Sequence, residues 1–123
     1  MEFRDNEAIY LQIAGYVSEN IILGKWPIGE KIPSVRELAV ELQVNPNTVV
    51  RTFEFLQLRE VIANKRGIGF FATDHAIEKI RNYKKERFLK QELPDFFRNI
   101  FLLNIDLDEI AKRYHDFKSE NFK

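Results

Sequence analysis

The stretch that decides the fold is residues 32–53, IPSVRELAVELQVNPNTVVRTF. A helix is predicted to begin at Ser34, because Ser34 and Glu37 have the capping-box spacing, in which a hydroxyl and a carboxylate each bond a free amide. An apolar stripe then follows at helical spacing, formed by Val35, Leu38, Ala39 and Leu42. We therefore expect this helix to be half buried.

Asn45 and Pro46 predict the start of a second helix. Asparagine is a favourable N-cap, and proline is tolerated at the first helical position, where its missing amide hydrogen would have no partner. On a helical wheel the inward positions are Val49, Phe53 and Leu56. The positions on or beside the outward face are Asn47, Thr48, Arg51 and Thr52. Two short helices joined by so tight a turn predict a helix-turn-helix.

The outward face of this second helix carries the chemistry of a recognition helix. Amide and hydroxyl groups can bond base edges and phosphates, and Arg51 can bond guanine through two hydrogen bonds. The free amides at the start of the helix attract phosphate. The alternative is an ordinary solvated helix face, because polar faces of this kind are common.

A glycine-bearing hairpin is predicted after the second helix. Strand-like runs at 61–65 and 69–73 flank a short turn. Cations at its tip can meet the DNA backbone or the minor groove, and glycines let the chain approach closely. The residues expected to do so are Lys65, Arg66, Gly67 and Gly69. The alternative is a plain hairpin in solvent.

Three segments together resemble the winged helix-turn-helix of the GntR family of bacterial regulators. They are Gly29–Ala39, Val44–Val49 and Lys65–Gly69, and the resemblance covers about residues 7–73. The Pro-Asn-Thr sequence at 46–48, with a short helical tail, is most similar to the YtrA subfamily. The resemblance implies a DNA-binding regulator that dimerises through this tail. Many family members carry arginine at the positions of Pro46 and Val50, so their base preference does not transfer to this chain.

The net charge is a counter-argument to DNA binding. Nineteen basic and nineteen acidic residues give a formal net charge of zero, whereas nucleic-acid binders usually carry a basic excess. A local surface built from Arg36, Arg51, Lys65 and Arg66 can still be positive. We therefore expect modest, strongly salt-dependent affinity.

The composition predicts a small globular protein. The chain has 123 residues, 45% hydrophobic and 31% charged, with eleven phenylalanines and no cysteine, which excludes disulfides and thiolate metal sites. Neither a bilayer-spanning apolar run nor the features of a signal peptide are present, so we expect a cytoplasmic protein without a membrane partner. His75 and His115 are isolated, and no nucleophile or phosphate-cradling motif occurs. We expect no enzyme activity, no metal and no cofactor, and the sequence leaves a small-molecule effector open.

Residues 7–24 predict the first helix, with Asn6 as its cap and Gly24 as its stop. Trp26 is expected to pack against the edge of the core, and Lys31 with Ile32 is expected to form a very short strand against the hairpin. Phe55 falls on the outward side of the second helix of the motif. We expect the C-terminal helices or the hairpin to cover it.

A change of character at Asp74 predicts a helical tail. Asp74 can cap a long, mostly charged helix, and Pro94 is expected to kink or briefly break it. Asp106 and Glu109 have a second capping-box spacing, which opens a last helix. The apolar surface of the tail exceeds what its helices can bury alone, so we expect a homodimer, with packing within one chain as the alternative. The dimerisation residues are expected to be Phe88, Phe96, Phe97, Ile100, Phe101, Ile110, Tyr114 and Phe117.

The expected fold is mainly α with a small β-hairpin. It has a winged helix-turn-helix in residues 1–73 and a dimerising tail in residues 74–123. The expected function is that of a transcriptional regulator, a repressor that binds an inverted-repeat operator in double-stranded DNA as a homodimer. The alternative is a winged-helix protein-interaction module without DNA binding. The expected DNA contacts are Ser34, Arg36, Asn45, Asn47, Thr48, Arg51, Thr52, Lys65, Arg66, Gly67 and Gly69.

Overall fold

The computed structural model describes residues 1–122, which form six α-helices, one π-helical turn and one two-stranded antiparallel sheet. The elements in chain order are α1 (Ile9–Ile22), α2 (Val35–Leu42), α3 (Pro46–Leu58), β1 (Ile62–Lys65), β2 (Gly69–Ala72), α4 (Ala76–Arg87), the π-helical turn (Phe88–Glu92), α5 (Leu93–Leu102) and α6 (Leu107–Asn121). The predicted fold class, mainly α with a small hairpin, is confirmed. The described chain divides into two compact units, Met1–Tyr83 and the residues from Lys84 onward.

The two helices of the central motif begin where their capping residues predict. The Ser34 hydroxyl accepts a hydrogen bond from the Glu37 amide at 3.1 Å, and the Glu37 carboxylate accepts one from the Ser34 amide at 3.1 Å. The Asn45 side-chain oxygen accepts from the Asn47 amide at 2.8 Å. Between the helices Gln43 takes a left-handed conformation, with φ +55°. Both predicted starts are therefore confirmed.

The start of α1 differs from the prediction. Ala8 occupies the N-cap position and makes no side-chain capping bond, so the assignment of Asn6 as the cap is wrong. The side chain of Gln12 fixes this end instead, accepting from the Arg4 amide at 2.8 Å and donating to the carbonyls of Arg4 and Glu7 at 2.7 and 2.8 Å. Gln12 is buried, and a buried amide needs such partners.

The hydrophobic core of the first unit is built from α1, α2, α3, the hairpin and the start of α4. Phe53 of α3 is the largest fully buried side chain, and its ring meets that of Phe70 at 4.8 Å between centroids. The other fully or nearly fully buried apolar residues are Ile13, Ala14, Val17, Ile21, Ile32, Leu38, Ala39, Leu42, Val49, Leu56, Val61, Ile62, Ala72, Ala76 and Ile80. The predicted inward face of α3 is thus confirmed.

The hairpin is extended by one short segment from before the helix-turn-helix. Ile62 pairs with Ala72 and Lys65 with Gly69 in the antiparallel register. Lys31 bridges to Phe71, and the Ile32 amide donates to the Phe70 carbonyl at 2.9 Å, as predicted for this segment. The predicted winged helix-turn-helix is therefore complete.

The aromatic residues predicted to lie at the edge of the core do so. Trp26 is half buried and meets the Tyr16 ring edge-on at 6.1 Å. Phe55 is also half buried, between Tyr10 at 6.0 Å and Tyr83 at 5.5 Å. Tyr83 belongs to α4, so a helix from the C-terminal part of the sequence covers Phe55, as expected.

The first unit ends after Tyr83 rather than after Thr73. Ala76 and Ile80 lie one helical turn apart on α4, and both are completely buried in the core. The tail was predicted from Asp74 because α4 is rich in charge, yet two buried side chains on one face suffice to join its start to the winged unit. The helix itself begins at Ala76.

The helical tail stays continuous through the turn before Pro94. Residues Phe88–Glu92 form a π-helical turn, in which the Leu93 amide donates to the Phe88 carbonyl, five residues back. Proline removes one amide donor and crowds the preceding turn, and a widened turn relieves that crowding. The predicted interruption is therefore a change of helix type, with Pro94 in the first turn of α5.

The last helix starts as predicted, with different capping bonds. The Asp106 carboxylate accepts from the Asp108 amide at 3.2 Å. The Glu109 carboxylate pairs with Arg113 at 3.1 Å instead of returning to the start of the helix.

Among the helices formed by residues 1–122, none is long and apolar enough to cross a membrane.

Candidate nucleic-acid interface

Three of the predicted DNA contacts converge at the start of α3. Asn47 and Arg51 are exposed and lie one turn apart on the same face, with the half-buried Thr48 beside them. Together with the first residues of α1 they surround a surface depression of about 320 Å³. Its lining residues are Ala8, Ile9, Tyr10, Asn47, Thr48 and Arg51. The α3 helix therefore presents its amide, hydroxyl and guanidinium groups at one place on the surface.

Arg51 stacks on a residue of another helix. Its guanidinium carbon lies 3.9 Å from the centre of the Tyr10 ring, within the range of a cation–π interaction. The Tyr10 ring covers one face of the planar guanidinium. The N–H groups of the guanidinium point outward in its own plane, away from the ring. The sequence did not single out Tyr10, because a contact between residues so far apart in the chain has no local signal.

The predicted placement of Thr52 on or beside the outward face, where it was expected to contact DNA, is wrong. It is completely buried, and its hydroxyl donates to the carbonyls of Tyr10 at 2.8 Å and Thr48 at 3.1 Å. Thr52 lies three residues after Val49 and four before Leu56, both of which are buried. Helical spacing places it on the inward face, and the two carbonyls satisfy its hydroxyl there.

The polar side chains at the starts of α2 and α3 are already engaged in capping. The side-chain oxygen of Asn45 bonds the Asn47 amide, so a DNA contact by Asn45 would have to use its exposed amide nitrogen. The Ser34 hydroxyl accepts a bond from the Glu37 amide and also interacts with the Glu37 carboxylate. Arg36, two residues later, is exposed.

Glu37 gives the start of α2 a negative charge. The Ser34 amide, then the Ser34 hydroxyl, and to a lesser extent the charge of Lys31, hold the pKa of the Glu37 carboxyl below its usual value. A carboxylate therefore already occupies the anion-attracting end of this helix. Arg36 is better placed than Ser34 to hold a phosphate here.

The hairpin tip is a tight turn with two exposed cations. The Ile68 amide donates to the Lys65 carbonyl at 2.9 Å, and Gly67 has φ +81°, a conformation that favours glycine. Lys65 and Arg66 are both exposed. At Gly69, with φ +126°, an added Cβ would lie 3.0 Å from Cε of Lys31. Both glycines thus have a conformational reason to be where they are, in addition to any close approach to DNA.

Two outward residues of α3 were missed by the sequence reasoning. Val50 is 40% exposed beside Arg51 and offers an apolar contact of the kind that thymine methyl groups make. Glu54 is exposed three residues after Arg51, and its carboxylate repels phosphate. The usable face is therefore the first two turns of α3. A helical wheel predicts the outward position of both Val50 and Glu54, because neither lies on the buried stripe.

The predicted dimerisation residues lie in a unit without a buried core. Of residues 84–122, none is buried. Phe101 is 83% exposed. The other exposed members of the predicted set are Phe88, Phe96, Phe97, Tyr114 and Phe117, and Ile100 and Ile110 are half buried. The surplus of apolar surface expected from the sequence is present in the structure of one chain.

Comparison with known proteins places this geometry in a family. Residues 9–72 match the family described as Bacterial regulatory proteins, gntR family. The HTH-type transcriptional repressor YtrA of Bacillus subtilis (strain 168) is 29% identical over 107 residues, which are 87% of this chain and 82% of that protein. The segment that matches the family, residues 9–72, contains the capped helices, the tight turn between them and the hairpin.

Solved structures show the same fold. A GntR-family protein from Bacteroides thetaiotaomicron has a TM-score of 0.81 and 49% identity, covering 92% of this chain and 98% of its own. BusR of S. agalactiae, in complex with its busAB-promotor DNA, has a TM-score of 0.57 and 25% identity, covering 95% of this chain and 58% of its own. These proteins are regulators and not enzymes, and the chain described here belongs to the GntR family of bacterial transcriptional regulators, with a DNA-binding winged helix-turn-helix and YtrA among its relatives.

Proposed function

We propose that the protein is a repressor that binds an inverted-repeat operator as a homodimer, with α3 of each subunit in a major groove. The observation that carries this proposal is the convergence of Asn47, Thr48 and Arg51 on the exposed start of a capped helix. The repressor role is supported by the relative YtrA, which is named a repressor. The presence of promoter DNA on BusR supports the same mode of action. A regulator of bacterial genes acts beside its DNA, so we also propose that the protein is cytoplasmic.

The roles proposed for the contacts follow from their chemistry. Asn47 and Arg51 reach base edges, because an amide can bond adenine and a guanidinium can bond guanine through paired hydrogen bonds. Phosphate groups are held by Thr48 and Arg36, with Ser34 in a lesser role. Lys65 and Arg66 guide the hairpin, and Gly67 and Gly69 let it approach the backbone. Thr52 has no part in these contacts.

The homodimer is proposed from the tail. Residues 84–122, none of which is buried, gain stability when their aromatic side chains are covered, at about 25 cal/mol for each Å² of apolar surface removed from water. A second copy of the same tail offers a matching apolar surface and a two-fold axis. With two recognition helices related by such an axis, half-sites are expected roughly 34 Å apart.

Selection from a randomised pool of duplex DNA, followed by fluorescence anisotropy, tests the proposal. We expect an inverted repeat to be enriched, and we expect its affinity to fall steeply between low and moderate salt because phosphate contacts release counterions. Failure to retain any duplex at low salt would refute DNA binding and favour a protein-interaction module. Enrichment of a single half-site by a monomer would refute the dimer alone.

Arg51→Ala and Arg36→Ala are predicted to have different effects. Loss of Arg51 is expected to reduce discrimination between the operator and random DNA by about 1–3 kcal/mol, because a base contact is lost. Loss of Arg36 is expected to weaken binding to both duplexes alike, because a phosphate contact carries no sequence information. Titration of each variant with both duplexes checks this. Equal effects of the two substitutions would contradict the assigned roles.

A further inference from the structure

Tyr10 is held in place by two contacts to α3. Its carbonyl oxygen accepts a hydrogen bond of 2.8 Å from the buried Thr52 hydroxyl. Its ring meets the Phe55 ring edge-on, with 6.0 Å between centroids and an interplanar angle of 74°. Thr52 directly follows Arg51 in α3, and Phe55 lies one helical turn beyond it. The two contacts therefore fix the Tyr10 ring beside Arg51.

The Phe55 ring is itself fixed on its other sides. The Arg59 guanidinium carbon lies 3.7 Å from its centre, and the Tyr83 ring meets it at 90° and 5.5 Å. The Tyr83 hydroxyl is 2.7 Å from the hydroxyl of Ser18, which is buried. A row of supported aromatic rings thus runs from α4 to Tyr10 and ends at Arg51.

We propose that Tyr10, which lies outside the helix-turn-helix, is a positioning residue that sets base specificity through Arg51. The inference rests on the proposed function of Arg51 as a base contact. An arginine side chain loses much rotational freedom when it binds, and a ring that already restrains the guanidinium reduces this loss. The stack covers a face of the guanidinium and leaves its N–H edge for the acceptors of guanine. Within residues 1–122, the guanidinium N–H groups of Arg51 have no protein acceptor, and the contact of this side chain is its stack on Tyr10.

The chain offers a matched control on the same helix. Tyr16 of α1 is half buried like Tyr10, and its ring meets an aromatic neighbour, Trp26, edge-on at 6.1 Å. Its hydroxyl is 3.4 Å from the carboxylate of Glu41. Replacing Tyr16 therefore removes a comparable aromatic contact from α1 without touching Arg51.

The test measures discrimination with the full chain. The probes are the inverted-repeat duplex enriched from the random pool and a scrambled duplex of the same length. Tyr10→Leu is expected to lower the ratio of the two affinities roughly two- to fivefold, the range of an exposed cation–π contact. Tyr10→Phe keeps the ring and is expected to keep the ratio, as is Tyr16→Leu. In an Arg51→Ala background, Tyr10→Leu is expected to change the ratio no further.

Two results would overturn the inference while leaving the proposed function intact. In the first, Tyr10→Leu leaves the ratio of the two affinities at its wild-type value. In the second, Tyr10→Leu lowers this ratio by the same factor in the presence and in the absence of Arg51. A wild-type chain that selects no duplex would instead refute the proposed function, and the inference with it.

A measurement on the wild-type chain covers the case in which Tyr10→Leu does not fold. Protons of the Arg51 side chain that lie over the Tyr10 ring are expected to resonate upfield of their ordinary NMR positions, and the duplex is expected to change these shifts. Arg51 resonances at ordinary positions in the free protein would overturn the inference, because the guanidinium would then not be restrained by the ring.

Discussion

The two units of the chain differ in how much of their apolar surface is buried. In Met1–Tyr83, α1, α2, α3, the hairpin and the start of α4 enclose a core in which Phe53 is 1% exposed. In residues 84–122 no side chain is buried, and Phe101 is 83% exposed. The first unit can be stable by itself, whereas the second has aromatic surface that it does not cover. The contrast supports the proposal that the first unit binds DNA and the second associates with a second copy.

The winged unit has no excess of basic residues. Residues 1–83 contain ten lysines and arginines against eleven aspartates and glutamates. The unit therefore has no overall basic field, and the proposed attraction to DNA relies on the positions of a few cations, such as Arg51 at the start of α3 and Arg66 at the hairpin tip.

Phe53→Ala is expected to have the largest effect, because it empties the centre of the only described core. The free energy of unfolding is expected to fall by about 3–5 kcal/mol, the usual cost of removing a buried phenylalanine ring. Urea denaturation measures it. Leu58→Ala, on the same helix but 82% exposed, is the control and is expected to change stability by less than about 0.5 kcal/mol. Similar losses from both would contradict the burial described here.

Phe101→Asp tests the tail. We expect the dissociation constant of the dimer to rise roughly ten- to hundredfold, since burial of a large apolar side chain contributes about 1.5–3 kcal/mol. Analytical ultracentrifugation over a concentration series measures it. Leu58→Asp places the same charge at an equally exposed position of the winged unit and should leave association unchanged. A dimer indifferent to the first change and sensitive to the second would reverse the roles of the two units.

Thr52→Val separates packing from DNA reading within α3. Loss of the buried hydroxyl is expected to reduce stability by about 0.5–1.5 kcal/mol, because the Tyr10 and Thr48 carbonyls lose a donor. Thr48→Val is the matched change at the edge of the exposed face, and it should weaken DNA binding with little effect on unfolding. Thermal denaturation and anisotropy together distinguish the two, and an unchanged melting temperature for Thr52→Val would contradict the hydrogen bonds.

Glu37→Gln is expected to have the smallest effect, a slight loss of stability near neutral pH that disappears in acid. Because the pKa of Glu37 is lower in the folded chain than its ordinary value, the unfolded chain binds a proton more readily. The capping box therefore contributes its full stability above the ordinary pKa of glutamate and loses it as the pH falls through the lowered one. Urea denaturation from pH 7 to pH 3 should show a shallower decline for Glu37→Gln, and parallel curves would contradict the pKa shift.

The sequence predicted what depends on neighbouring residues. Ser34 with Glu37, and Asn45 with Pro46, fix the helix starts through contacts within one turn, so they are readable from spacing. The first compact unit continues to Tyr83 because Ala76 and Ile80 of α4 are completely buried, and two apolar residues among many charges give little signal in the sequence. At Asn6 a plausible cap was present, but Gln12 made the bonds instead, because a buried amide there has three partners that only the fold brings together.

In the candidate site too, local contacts could be predicted from the sequence and contacts between distant residues could not. Asn47, Thr48 and Arg51 were predicted to cluster from the helical repeat, and they do so. Thr52 was misassigned because a polar side chain was taken to favour solvent, although its spacing from Val49 and Leu56 places it inward. The stack of Arg51 on Tyr10 was beyond prediction, since it depends on how α1 crosses α3.

The contacts of Tyr10 in α1 with α3 have a consequence for protein redesign. The Thr52 hydroxyl binds the Tyr10 carbonyl, and the Tyr10 ring supports Arg51. A swap that transplants α3 alone onto another winged-helix scaffold would leave its arginine without this brace. If Arg51 contacts bases as proposed, the segment to transplant is α3 together with the opening turn of α1.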